Sequence, residues 1–232
     1  MHLPDSGFIR LASREAVVLI DVGPIGPDYI PGHAHADTLS FEFSLFGQRI
    51  FVNGGTSEYG IGDVRMHERS TASHNTLEIN GESSSEVWGG FRVARRAYPH
   101  DLVVQEHDSS LHVSCAHNGY CRLPGKPVHR RRWDLFSRSL VVEDLVEGFF
   151  ETAYAYFHAY PGFELCLITD NSWMLKCPAG KHVFINVEKG KSSLIESHHA
   201  PEFGRRLSTM CLKVEMDSGG SRVRISWGDK SG

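Results

Sequence analysis

The sequence predicts an all-β protein, a large antiparallel β-sandwich of stacked sheets with little helix. Three observations carry this. Short segments rich in β-branched and aromatic residues recur along the whole chain. Gly, Pro, Asn and Asp, the residues of reversals, separate them. Helical periodicity is scarce. Many strands in one run, with no linker, repeat or low-complexity segment, give a single domain over residues 1–232 built from two large sheets.

The strands follow in order. GFIRLA (7–12), AVVLIDV (16–22), LSFEFSLF (39–46), RIFVN (49–53) and NTLEIN (75–80) come first. FRVARRAY (91–98), LVVQEH (102–107), LHVSCAH (111–117), HRRRWDLFS (129–137) and LVVEDLVE (140–147) continue the pattern. ETAYAYFHAY (151–160), FELCLIT (163–169), HVFINVE (182–188), SLIES (193–197), MCLKVEM (210–216) and RVRISWG (222–228) complete it. Only IGDVRMHER (61–69) is a candidate helix. FGQR, NGES and DSGGSR put glycine where a tight turn needs positive φ.

Composition narrows the function. The 232 residues are 41% hydrophobic and 22% charged, enough to bury a core without staples. A formal charge of −4 gives no bulk attraction to nucleic acid. No apolar run has the length of a membrane helix, and MHLPDSGFIRLAS lacks the plan of a signal peptide. This leaves a cytosolic protein or a chain that begins downstream of a natural start. The five cysteines are scattered and odd in number, which argues for buried thiols rather than a disulfide framework or a cysteine zinc site.

The chemistry-bearing residues sit at strand entrances. In GHAHADTLSFEF, His33 and His35 share parity, so an extended chain aims both imidazoles one way. The pair reads as a metal grip, a proton-handling pair, or a polar turn capped by Asp37. Asn53 ends the partner strand and folds back near His35, as a ligand or a ligand's support, or as an Asn bonded to its own turn. His74 and Asn75 open another strand in the same way. Two imidazoles and one oxygen suit zinc or a similar divalent ion. A cupin also uses H-x-H in a β-barrel, but Glu42 falls too late and Gly47 too soon for that pattern. Arg130 and Arg132 share one face of HRRRW, and Arg92, Arg95 and Arg96 lie in FRVARRAY. Aromatics beside arginines suit a sugar acid, although such runs are also ordinary solvated faces.

Taken together, PGHAHADTLSFEFSLFGQRIFVNGGTSEYG, RSTASHNTLEING, EVWGGFRVARRAYP and HRRRWDLFSRSLVVEDLVEG resemble the heparinase II/III-like polysaccharide lyases over nearly the whole chain. The specific part is the series H-x-H, N-G-G-T and H-N. The resemblance implies an N-terminal (α/α) toroid joined to a C-terminal β-sandwich, and cleavage of uronic-acid-containing glycans by β-elimination. It implies that His33 is an active-site histidine and that His35 and His74 are metal ligands, often to zinc. Asn53 stands where many relatives carry an Asp ligand, which removes a charge from the site. Tyr59 and Arg69 are candidate catalytic or substrate contacts; Asn75, Arg130 and Arg132 are candidate substrate-binding residues. The chain has no helical region to build a toroid, so it reads as the sandwich alone, needing a toroid in cis or in trans and an acidic polysaccharide as substrate. Nucleic acid and membrane are not expected partners. The alternative is a non-catalytic carbohydrate-binding or structural β-module, with a cupin-type enzyme further behind.

Overall fold

In the computed structural model, residues 1–27, 29–176 and 182–228 are described. The first sheet is a five-stranded meander: β1 His2–Leu3, β2 Phe8–Ala12, β3 Ala16–Asp21, β4 Phe41–Leu45 and β5 Gln48–Phe51. Helix α1, Asp63–Arg69, follows, and then β6 Leu77–Ile79. A small hairpin, β7 Val87–Trp88 and β8 Arg92–Val93, leads to β9 Pro99–His107, β10 Ser110–His117, β11 Val128–Phe136 and β12 Ser139–Glu147. The chain continues as β13 Ala153–His158, β14 Glu164–Thr169, β15 Ser172–Lys176 and β16 His182–Lys189. It ends in β17 Lys191–Glu202, β18 Arg205–Glu215 and β19 Ser221–Trp227.

One layer is an eight-stranded antiparallel sheet in the order β14-β15-β16-β19-β12-β11-β10-β9. The facing layer is divided, unlike the two large sheets expected. It consists of the five-stranded meander and a four-stranded sheet in the order β17-β18-β13-β6. Backbone bonds stitch them where β5 meets the end of β13: Val52 N–H donates to His158 O at 3.0 Å, and Tyr160 N–H to Ile50 O at 2.9 Å. Between the layers lies one core, held together by alternating inward side chains. Phe43 meets Trp227 at 5.7 Å between ring centres, and Phe157 packs edge-on to Phe41 and Phe51 at 6.0 and 5.8 Å.

The differences from expectation have local causes. FRVARRAY carries only the two-residue β8, because Ala94 and Arg95 bond irregularly to Glu86 across the hairpin. SWMLK (172–176), unassigned from sequence, is β15. Strand β4 starts at Phe41, because Leu39 takes a left-handed φ of 61°. Cys115 and Cys211 are buried and Cys121 and Cys166 partly so, all as free thiols; Cys177 lies outside the described residues. Among the described residues no helix is long and apolar enough to cross a membrane.

Candidate functional site

Strand entrances do converge. His33, His35, Asp37, Asn53, Thr56, His74 and Asp21 line one pocket of about 530 Å³ at the edge of the meander. The segment 33–38 is turn rather than strand, so the two histidines part company. His33 is exposed, and the Tyr59 hydroxyl lies within hydrogen-bond distance of its Nδ1 at 3.2 Å. His35 turns inward, its Nδ1 3.2 Å from Nε2 of the buried His74.

Helix α1 supplies what lies behind them. Arg65 and Arg69, one turn apart on the same face, are both fully buried. Arg65 donates to His35 Nε2 at 3.1 Å and to Thr56 Oγ1 at 3.2 Å. A guanidinium only donates, which places the His35 proton on Nδ1, facing His74, while Glu68 O, which only accepts, lies 3.2 Å from His74 Nε2 and draws a proton there. Nδ1 of His74 is buried without a partner. Burial, then the neighbouring His74 and the two arginines, hold His35 neutral with a pKa pushed down to about 2. Burial pushes His74 down to about 4. On the same pocket wall burial lifts Asp37 to about 7, and burial with the Asp37 charge raises Asp21.

This chemistry bears on a divalent ion. Ring nitrogens 3.2 Å apart have the spacing of two nitrogens on a zinc-like centre, but His35 Nδ1 and His74 Nε2 would have to give up the protons that Arg65 and Glu68 O place on them. The third position is weaker. The Asn53 amide oxygen accepts from Asn75 N–H at 2.9 Å, and its nitrogen donates to Ser40 at 3.3 Å. Among the described residues no three His, Cys, Asp or Glu side chains come together as ligands. The donor set would offer an ion two nitrogens and one amide, with no anionic ligand, once both imidazoles change tautomer.

Four sequence candidates stand elsewhere. Arg69 cannot meet a glycan directly: its guanidinium is buried and donates to the carbonyls of Ala34, Trp88 and Arg92 at 3.0, 3.4 and 3.1 Å. Asn75 is an internal brace, giving Nδ2–H to Phe41 O at 2.8 Å and accepting from His158 N–H at 2.7 Å. Arg130 and Arg132 project from the face of β11 opposite Arg131. They pair with Asp101 at 2.8 Å and with Asp134 at 2.7 Å.

Comparison with known proteins bears on this arrangement. The sequence profile described as "Heparinase II/III-like, C-terminal" matches residues 1–226. The chain belongs to this family. Among solved structures, the heparan sulfate lyase HepC from Pedobacter heparinus superposes with a TM-score of 0.79 at 16% identity, covering 100% of this chain and 37% of that one. A heparinase III superposes with a TM-score of 0.73 at 18% identity, covering 94% and 34%. This chain therefore spans about a third of the length of those structures. No curated protein sequence matches it.

This heparinase II/III-like domain also braces its site from the opposite layer, through residues that sequence spacing did not single out. Arg131 of β11 crosses the core and donates to Leu39 O at 3.2 Å and Asn75 O at 2.6 Å, clamping two of the strand entrances. Its other donors grip Asp144 at 2.6 and 2.9 Å. Behind Asp144 the tautomers are fixed in sequence. Gly119 N–H donates to His117 Nδ1 at 3.1 Å, so His117 Nε2–H donates to His129 Nδ1 at 3.1 Å, and His129 Nε2–H to Asp144 at 2.7 Å. Burial alone would raise the Asp144 carboxyl; Arg131 and His129 reverse this and hold it below the ordinary range. The signal for Arg131 lay in the alternation of HRRRW, where it shares a face with the core residue Trp133.

Proposed function

We propose that this chain is the β-sandwich part of a polysaccharide lyase that cleaves uronic-acid-containing glycans by β-elimination, working with an (α/α) toroid in cis or in trans. The observation that carries this is the pair His33 and Tyr59, bonded at 3.2 Å on the open rim of a pocket, in a chain of this family. Both are exposed, so a polymer can reach them without the chain opening.

In β-elimination the C5–H bond breaks and its proton goes to a base. The C4=C5 double bond forms as the C4–O4 bond breaks, and O4 leaves with a proton. Charge builds on the uronate carboxylate and must be neutralised. Tyr59 holds a proton at its hydroxyl, directed at His33 Nδ1, which leaves Nε2 of His33 to meet the substrate. In that arrangement neutral His33 carries its proton on Nε2, from which it can donate to the carboxylate or to the leaving O4, and the base that takes the C5 proton comes from outside this pair. His35 and His74 would hold a divalent ion with Asn53 beside them; such an ion, when bound, supplies positive charge near the carboxylate. Arg65 behind His35 adds fixed positive charge to the same wall. The heparan sulfate lyase structures are consistent with an acidic polysaccharide as the substrate class.

The test uses absorbance of unsaturated uronate ends on heparan sulfate and alginate. The chain by itself should give little product, and addition of a matching toroid should raise the rate. His33→Ala should then lower that rate by about 10²-fold or more. An unchanged rate in His33→Ala removes the role given to His33. Vigorous elimination by the chain alone removes the need for a toroid.

A further inference from the structure

We propose that Phe203, together with Tyr59 and Phe91, forms an aromatic platform that binds a sugar ring of an acidic glycan beside His33. This rests on the glycan reading above and extends it to a hairpin far away in the sequence. The three rings come from three separate segments. Tyr59 lies in the loop before α1, Phe91 at the tip of the β7–β8 hairpin, and Phe203 at the tip of the β17–β18 hairpin. Phe91 lies 5.7 Å from Tyr59, tilted by 45°, and Phe203 lies 5.1 Å away, tilted by 42°. All three face water, at 48%, 44% and 63% exposure for Tyr59, Phe91 and Phe203.

Backbone contacts hold these tips in place. Gly204 N–H, beside Phe203, donates to Ser57 O at 2.7 Å. Gly90, beside Phe91, has φ +74° and passes so near Gly60 that a Cβ would stand 1.9 Å from its carbonyl oxygen. The chain thus fixes three apolar rings together in solvent. Single exposed aromatics need no explanation, but a cluster built from three segments marks a contact site.

The surroundings point to a sugar acid as occupant. Aromatic rings stack on the C–H face of a pyranose, and guanidinium groups pair with carboxylate or sulfate. Arg65, buried 5.2 Å from the centre of the Tyr59 ring with its donors taken by the protein, supplies positive charge behind the platform rather than a direct contact; the exposed guanidinium is that of Arg92. Arg92 stands 4.7 Å from the centre of the Trp88 ring, in the same hairpin as Phe91. The acidic neighbours are Glu58, which is exposed, and Glu202, which is paired with Arg205 at 3.3 Å. Tyr59 joins the platform to the site itself through its bond to His33. A ring stacked here would lie next to the sugar at the pocket.

The experiment is calorimetric titration of the chain with a hexuronate-containing hexasaccharide and with a neutral hexasaccharide of equal length. Phe203→Ala should bind the acidic sugar about tenfold more weakly, and Phe203→Trp should retain it. Phe91→Ala, on an independent hairpin, should show a similar loss, which separates stacking from damage to one tip. The neutral sugar should bind more weakly than the acidic one. Three results overturn the platform: no acidic sugar bound by the wild-type chain, wild-type affinity in Phe203→Ala, or a loss in Phe203→Ala confined to association with a helical partner domain. Binding that depends on Phe203, with no unsaturated product under any condition, keeps the platform and removes the lyase reading. Product formed by Phe203→Ala with an unchanged KM, alongside unchanged binding, removes the platform and keeps that reading.

Discussion

At the scale of single residues, the site turns on Asn53. Its amide oxygen accepts from Asn75 N–H and its nitrogen donates to Ser40. An Asp there keeps an acceptor for Asn75, and Ser40 can turn its hydroxyl to donate instead, so the fold should tolerate Asn53→Asp. The gain is a negative charge beside two neutral imidazoles, which is what a divalent ion lacks in this pocket. Asn53→Asp should bind zinc at least about tenfold more tightly than the wild-type chain, a gain of about 1.4 kcal/mol. Calorimetry with zinc alone measures it, and equal affinities would mean that His35 and His74 do not form the metal pair.

At the scale of elements, the site depends on where strands end and what fastens those ends. Gly55 shows the closeness required. It has φ +78°, and a Cβ would stand 2.1 Å from Ala200 O, where the loop after β5 bridges to β17. Gly55→Ala should cost at least about 2 kcal/mol, read from urea denaturation, because both the φ and the backbone contact oppose it. The opposite layer contributes through Asp144. Asp144→Asn leaves the buried Arg131 guanidinium without its counter-charge, which should cost about 3–5 kcal/mol. A change below 1 kcal/mol would show that Arg131 is not braced in this way. These fastenings explain what the sequence made legible. Alternation in LSFEFSLF exposes the buried face of β4 directly, and strand entrances carrying His35, Asn53 and His74 marked the pocket. Arg69 and Asn75 are placed inside the fold against backbone carbonyls, a position that polarity alone does not separate from one that meets substrate. Phe203 was invisible because nothing local ties the β17–β18 tip to Tyr59; only the hairpin's length and course bring it there.

At the scale of the whole molecule, the buried histidines set the response to acid. His35, His74 and His158 have pKa values pushed down to about 2, 4 and 3, chiefly by burial, and burial likewise depresses His117 and His129. The unfolded chain takes up protons at these positions as pH falls through 6.5, while the folded chain does not. Each group therefore removes about 1.4 kcal/mol of stability per pH unit from 6.5 down toward its folded pKa. Asp21 and Asp37 act in the opposite sense. Their raised values favour the fold at low pH, and that contribution is lost as pH rises from about 4 toward 7. His67, His198 and His199 are depressed by burial as well, and Glu78 is raised by it; the imidazoles outnumber the carboxyls, so stability should be greatest near neutral pH and fall steeply between pH 6.5 and 4. Asp37→Asn isolates the opposing part: it removes the penalty of an ionised buried carboxylate, so it should raise the melting temperature at pH 8 and leave it unchanged at pH 3. Thermal melts of both proteins from pH 3 to 8 test the two signs together. A melting temperature that stays level from pH 7 to 5 would show that these imidazoles are already protonated in the folded chain, and with them the neutral His35–His74 pair on which the metal assignment depends would be lost.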